Sequence, residues 1–204
     1  MLRAVFLLMV SIWASGPLAA QEVPALYDVT GVATDDQLNV RAAPEASAPV
    51  IGALSHSQTH VEVTAVNEAG TWGRVVLGEQ TGWASLAYLT VQPESAMPDA
   101  GEVTCFGTEP FWSYHVDAGD TATWSAIDDE ALTLKSGPFR RADARFEPFI
   151  SAAGAPGQQA VLVMQKDPQC SDGMSDALYG LSAVLVLSGR LERAVSGCCS
   201  LAPR

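Results

Sequence analysis

The sequence predicts a mainly β protein in two parts, a small β barrel followed by a disulfide-stapled antiparallel β domain. Three observations carry this. Short segments with period-2 alternation recur along the chain, among them Leu38-Asn39-Val40-Arg41, Val61-Glu62-Val63 and Trp112-Ser113-Tyr114-His115-Val116. Polar and Gly/Pro clusters such as Asn67-Glu68-Ala69-Gly70 and Ser136-Gly137-Pro138 punctuate them, and no stretch sustains a helical period. All four cysteines, Cys105, Cys170, Cys198 and Cys199, lie in the second half.

Residues 1–20 stand apart from this pattern. Arg3 supplies a positive start, Val5 to Val10 with Ile12 and Trp13 an apolar middle, and Pro17-Leu18-Ala19-Ala20 a small-residue end. This reads as a secretory signal peptide cleaved after Ala20, and it predicts a periplasmic or secreted protein. The segment is too short to span a membrane, and no later run reaches the roughly 18 apolar residues a span needs. No Cys follows the cleavage site, so no lipid anchor is expected.

The chain carries a net charge of −12, and the leader holds Arg3 and no acid, so the mature protein is more acidic still. An acidic surface disfavours nucleic acid and anionic membranes as partners and reads as a solubilising envelope charge. An even cysteine count in an exported chain predicts two disulfides. A metal site is the competing use. The three histidines, His56, His60 and His115, are not spaced with the cysteines as zinc ligands would be, so neither metal nor cofactor is expected.

The first domain runs from Ala25 to Val91. Tyr27 to Val32 alternates as a strand, and Thr34-Asp35-Asp36 turns it. Leu38 to Arg41 is the next strand, stopped by Pro44, which cannot donate to a ladder. Val50-Ile51-Gly52-Ala53-Leu54, Thr59 to Val66, Thr71 to Leu77 and Trp83-Ala84-Ser85 follow, with turns at Asn67–Gly70 and Gly78–Gly82. Short, closely spaced strands with polar turns predict a small barrel.

These residues resemble the bacterial SH3 domain. The matching pieces are Leu38-Asn39-Val40-Arg41-Ala42-Ala43-Pro44, Val50-Ile51-Gly52-Ala53-Leu54, the strand around Val61-Glu62-Val63, Trp72-Gly73-Arg74-Val75, and Thr81-Gly82-Trp83-Ala84 ending in Tyr88-Leu89. One departure is Ser57-Gln58, where the family often places a Gly turn. The resemblance implies an SH3-like barrel of five to six strands that binds peptides or cell-wall fragments as a targeting appendage. It implies no catalytic residues, though a hydrolase domain sits beside it in many members.

Aromatic faces with a polar edge suit peptides and glycans alike, so Tyr27, Trp72, Trp83 and Tyr88 are the binding candidates. Each competes with a packing role, because a domain of about 65 residues needs its large side chains for a core. Trp72 follows a turn and shares a strand face with Arg74, which predicts exposure. Trp83 starts a strand after Gly82, which predicts burial. Arg41 is a candidate for holding a ligand carboxylate, with a structural pairing to a nearby Asp as the alternative. His56 and His60 flank a turn and read as solvated.

Gln92 to Gly101, with Pro93 and Pro98, reads as a short semi-stiff linker. The second domain, residues 102–204, opens with a strand that places Trp112, Tyr114 and Val116 on one face and Ser113, His115 and Asp117 on the other. The second set contains the residue types of a hydrolase triad. Side chains at i and i+2 on a strand stand about 6–7 Å apart, a triad needs hydrogen-bond contact, and no Gly-x-Ser-x-Gly elbow exists. No catalysis is predicted there. Further strands are expected at Thr121–Ser125, Ala131–Lys135, Phe146–Ser151, Ala160–Gln165 and Ala183–Leu187. Arg140, Arg141 and Arg145 read as a solvated turn pairing with Asp143 and Glu147. Asp172 and Asp176, with Glu109, lack the full calcium-loop pattern and read as turn residues capping a short helical turn.

Gly107-Thr108-Glu109-Pro110-Phe111-Trp112, Cys170-Ser171-Asp172-Gly173-Met174-Ser175-Asp176 and Ser196-Gly197-Cys198-Cys199 together resemble an uncharacterised group of bacterial envelope and lipoprotein domains. That resemblance implies location and fold class and no activity. Adjacent strand residues face opposite sides, so Cys198 and Cys199 take different partners, which leaves two pairings. The resemblance implies Cys170–Cys198, and with it Cys105–Cys199. Each link would contribute roughly 3–5 kcal/mol through chain entropy.

The sequence therefore predicts an exported, non-catalytic binding protein of the cell envelope. Its expected partner is a peptide or peptidoglycan fragment, with an envelope protein as a further candidate. Two alternatives stand beside this: an inhibitor or regulator of an envelope hydrolase, and a hydrolase using Ser113, His115 or the Asp172/Asp176 loop.

Overall fold

The computed structural model describes residues 22–202, so the proposed leader and its cleavage site lie outside the described residues. The chain is almost entirely β, as its alternation predicts. The first unit contains β1 (Ala25–Val29), β2 (Gln37–Arg41), β3 (Val50–Ser55), β4 (Val61–Val66), β5 (Trp72–Leu77), β6 (Gln80–Ser85), a single 3-10 turn at Leu86–Tyr88 and β7 (Leu89–Val91). They form one sheet in the order β3-β2-β6-β5-β4-β1-β7, seven strands where five to six were expected.

The inward positions of these strands make one core. Leu38, Val40, Leu54, Val61, Val63, Val75, Ala84 and Leu89 are buried together with Tyr27. Burying one such aliphatic side chain stabilises the fold by roughly 1.5–3 kcal/mol. Gly82 is required by a close approach: a Cβ there would lie 2.4 Å from Val40 Cγ1 and 3.2 Å from the Arg41 carbonyl oxygen. The unusual Ser57-Gln58 turn closes without glycine. The Gln58 side-chain oxygen accepts from the Ser55 amide (3.2 Å), and the Gln58 amide donates to the Ser55 carbonyl (3.1 Å).

The second unit contains β8 (Glu102–Thr108), β9 (Phe111–Asp117), β10 (Thr121–Ala126), β11 (Leu132–Ser136), β12 (Arg140–Arg141), β13 (Phe149–Ala155), β14 (Gln158–Ser171), β15 (Leu178–Gly189) and β16 (Arg193–Ser200). The order is β11-β10-β9-β8-β16-β15-β14-β13-β12, and β11 also pairs with β13. That last pairing closes eight antiparallel strands into a barrel and leaves the two-residue β12 on its rim. An eight-stranded barrel is just wide enough for side chains to fill it, and here they do. Trp124, Tyr114, Phe149, Leu134, Leu162, Met164 and Leu185 are fully buried in one cluster, with the Trp112 and Trp124 rings stacked 5.8 Å apart.

Both disulfides form, Cys105–Cys199 and Cys170–Cys198. These are the pairs the second resemblance implied. Cys105 and Cys199 are register partners on β8 and β16 and are fully buried. Cys198, its neighbour on β16, faces outward and holds Cys170.

β14 and β15 are the longest strands, and a register shift between Lys166 and Cys170 interrupts their ladder before its hairpin end, which Cys170–Cys198 fastens to β16. The first unit docks on that end. Val76 packs on the cluster of Cys170, Ala177, Tyr179 and Cys198. The Asp176 amide donates to the Glu79 carbonyl (2.9 Å), Thr81 Oγ1 donates to the Asp176 carbonyl (3.0 Å), and the Leu178 amide donates to Thr81 Oγ1 (2.8 Å). Pro24 sits over Gly180, where a Cβ would lie 2.7 Å from its ring.

The segment 92–101, expected as a semi-stiff linker, is packed. Ser95 is buried, accepting from the Leu26 amide (3.1 Å) and donating to the Gln92 carbonyl (2.8 Å). Met97 and Ala100 join the barrel core alongside Leu26. A Pro-containing stretch looks linker-like in one dimension, while Met97 and Ala100 are small or apolar enough to be buried once two units face each other.

Candidate functional site

The first unit carries a groove of about 400 Å³. Its walls are the loop after β1 (Gly31, Val32, Ala33 and Asp36), the outward side chains Asn39 and Arg41 of β2, Trp72 at the start of β5, and Ser85 with Tyr88 around the 3-10 turn. Local chemistry places each of the key side chains. Asn67 Oδ1 accepts from both the Thr71 and Trp72 amides at 2.9 Å, which closes the β4–β5 turn and sets Trp72 at the groove edge. The Thr30 amide donates to the Tyr88 carbonyl (2.9 Å), and Gly31 makes the adjoining bend at φ +72°, which favours glycine.

Arg41 Nη1 donates to the Ala48 carbonyl (2.8 Å), so the guanidinium is pinned by the β2–β3 loop. The alternative pairing with a nearby Asp does not form: among the described residues Arg41 has no carboxylate partner within 4.0 Å. A guanidinium has five N–H donors, and Arg41 keeps most of them for the groove. Trp72 is half-buried and Tyr88 exposed, so both rings offer a face. The groove thus combines two aromatic surfaces, one oriented cation and one exposed carboxylate at Asp36. Such a surface can stack a ring or proline and bind a carboxylate bidentately.

The remaining sequence candidates fall elsewhere, and two expectations need correction. Tyr27 is 1% exposed and belongs to the core, where burial raises its hydroxyl pKa above the ordinary tyrosine value. It cannot reach a ligand. Trp83 is half-buried rather than buried, on the outer face of β6 between its register partners Arg41 and Arg74, and it does not line the groove. Alternation settles this: Gly82 and Ala84 point inward, so Trp83 must point out. Arg74, on the same strand face as Trp72, is 6% exposed and donates to the Pro168 carbonyl of the second unit.

Residues 36–90 match the bacterial SH3 domain family. The match begins after β1, yet β1 pairs with both β4 and β7 and completes the same sheet. No curated protein and no solved structure matches the chain. The resemblance of the second unit to an envelope group rests on its own motifs alone. A bacterial SH3 domain suggests a binding role towards peptidoglycan or peptides, and the groove lies wholly within the SH3 unit.

The second unit holds a different surface. A cleft of about 670 Å³ lies between the SH3 β5–β6 turn (Gly78, Glu79), the outer face of β8–β10 and the loop at 172–175. Asp172 organises that loop as an Asx turn, where a short helical turn was expected. Its carboxylate accepts from the Met174 amide (3.0 Å), the Ser175 amide (2.9 Å), Ser175 Oγ (2.9 Å) and Tyr179 Oη (3.2 Å). Partial burial pushes the Asp172 pKa up, but these hydrogen bonds outweigh it and hold the carboxyl below its ordinary value. Asp172 is therefore consumed in structure, and it does not converge with Glu109 and Asp176 on a common point.

Ser113 makes no hydrogen bond to His115. The imidazole instead meets Thr104 Oγ1 through Nδ1 (2.9 Å). Arg140, Arg141 and Arg145 are exposed, and Glu147 accepts from the Lys166 amide (2.8 Å) instead of pairing with them.

Proposed function

We propose that the protein is an exported, non-catalytic binding protein of the cell envelope whose SH3 unit holds a peptide or peptidoglycan fragment in the Arg41–Trp72–Tyr88 groove. One observation carries the reading: within the segment that matches the bacterial SH3 domain, a pinned guanidinium and two accessible aromatic rings converge on one groove. A cell-wall stem peptide offers carboxylates to Arg41 and aliphatic surface to Trp72 and Tyr88. In this reading no residue is catalytic: all four cysteines are used in disulfides, and His115 Nδ1 meets Thr104 Oγ1.

The second unit acts as a rigid companion. The hairpin end of β14–β15 contacts Val76, Glu79 and Thr81 of the SH3 unit, which fixes how the groove is presented. The test is NMR titration of the mature protein with purified muropeptides, together with retention on intact peptidoglycan. Shifts confined to residues around Arg41, Trp72 and Tyr88 support the proposal. No retention and no shift would sink it.

A further inference from the structure

We infer that Glu102, His115 and Asp117 form a binding site for one divalent transition-metal ion of the zinc type. The antiparallel register of β8 and β9 sets Glu102 opposite Asp117 and Thr104 opposite His115, all on the outer face of the barrel. The three charged side chains lean together. His115 Nε2 lies 3.5 Å from Asp117 Oδ1 and 3.9 Å from Glu102 Oε2, and one ligand atom from each residue lies within 4.8 Å of the others. Ligands bound at about 2.0–2.2 Å around zinc stand roughly 3.4 Å from one another in a tetrahedron. Only a small rotamer adjustment closes this triangle on an ion.

Two further features turn a cluster into a ligand set. The first is the ring's orientation. Thr104 Oγ1 lies 2.9 Å from His115 Nδ1. With Nδ1–H donated to that hydroxyl, Nε2 presents its lone pair towards both carboxylates, the arrangement that an outer-shell partner gives a metal-binding imidazole. The second is charge. Among the described residues neither Glu102 nor Asp117 pairs with a Lys or Arg, and the other side-chain contact is Thr121 Oγ1 donating to Asp117 Oδ2 (3.4 Å). Two carboxylates are thus gathered on an acidic chain without a fixed cation from Lys or Arg.

One imidazole and two carboxylates suit zinc or copper(II) better than calcium or magnesium, which prefer all-oxygen sets. The side chains are 40–46% exposed, so an ion has an entry path and water can complete its coordination. The ion would clip β8 to β9 where the chain enters the barrel, beside the hydrogen bond from the Ala118 amide to the Gly101 carbonyl (2.8 Å).

The experiment uses the mature full chain after chelator treatment. Zinc is titrated by calorimetry, and copper(II) is followed by electron paramagnetic resonance. We expect one zinc per chain, a rise in melting temperature on zinc addition, and copper coupling to a single imidazole nitrogen. His115→Ala and Asp117→Asn should each weaken zinc at least tenfold and abolish its effect on melting, with unchanged circular dichroism. Thr104→Val, which keeps all three ligands, should weaken zinc by about 10–100-fold. A variant carrying both His56→Ala and His60→Ala should bind like the parent. Absence of saturable binding overturns the inference. So does full affinity in His115→Ala, or loss of binding in the His56/His60 variant.

Discussion

Arg74 on β5 of the SH3 unit donates through Nη2 to the main-chain carbonyl of Pro168, 94 residues away on the hairpin end of β14. Its Nε donates to Thr64 Oγ1 at 3.0 Å. Burial pushes the guanidinium pKa below its ordinary value, so these bonds compensate a desolvated cation. Glu62 does the reciprocal job on β4, accepting from Ser200 Oγ and from the Leu201 amide (3.1 Å). The two units are joined by buried charged groups, which makes their mutual orientation specific.

Arg74→Ala should therefore loosen the junction more than either unit. A hydrogen bond from a charged donor is worth about 1.5–3 kcal/mol, and the variant leaves the Pro168 carbonyl without its donor. Denaturant unfolding should lose about 2–3 kcal/mol and separate into two transitions, one per unit. A single unshifted transition would show that the Arg74 contact contributes nothing.

In the groove, Trp72→Ala and Arg41→Ala should each cost about 2 kcal/mol of binding, close to a 30-fold loss, as expected for central aromatic and Arg anchors. Tyr88→Ala should cost less, because its ring is more exposed. Trp83→Ala should leave affinity within twofold. Calorimetric titration with a muropeptide checks the ranking, and an equal effect at Trp83 would relocate the site.

The two disulfides should differ in what their loss disturbs. Removing Cys105–Cys199, which closes a separation of 94 residues inside the barrel core, should destabilise the barrel by roughly 3–5 kcal/mol. Removing Cys170–Cys198 frees the hairpin end that receives the SH3 unit. Amide exchange should then accelerate at Asp176 and Leu178 before it does in the barrel. Equal acceleration everywhere would contradict the assignment.

Asp172 gives a pH signature. Its folded pKa is depressed, so its contribution is fully present above the ordinary Asp value of about 3.9 and is lost as pH falls through the lower folded value. Asp172→Asn should cost about 1–2 kcal/mol at neutral pH and flatten the stability profile in that acid window. Urea midpoints measured from pH 7 down to pH 2 report both.

Much of the fold is legible because alternation is a local property. Trp112, Tyr114 and Val116 point into the barrel as their period demands, and Leu38 and Val40 into the SH3 core. Strand ends moved: β14 and β15 run well beyond Ala160–Gln165 and Ala183–Leu187, since ladder pairing extends strands past their most apolar part. Arg41, Trp72 and Tyr88 were legible as candidates by residue type. Tyr27 was not separable from them, because its burial depends on both β4 and β7 flanking it.

By itself, the sequence determined most of the strands and where the chain turns, because periodicity and turn chemistry act over a few residues, and its motifs carried the resemblance of one segment to the bacterial SH3 domain. Barrel closure through β11 and β13, the burial of Arg74, and the meeting of Glu102 with His115 and Asp117 were decided only in three dimensions. Each depends on register between strands, and register is a property of pairs that no single stretch of chain contains.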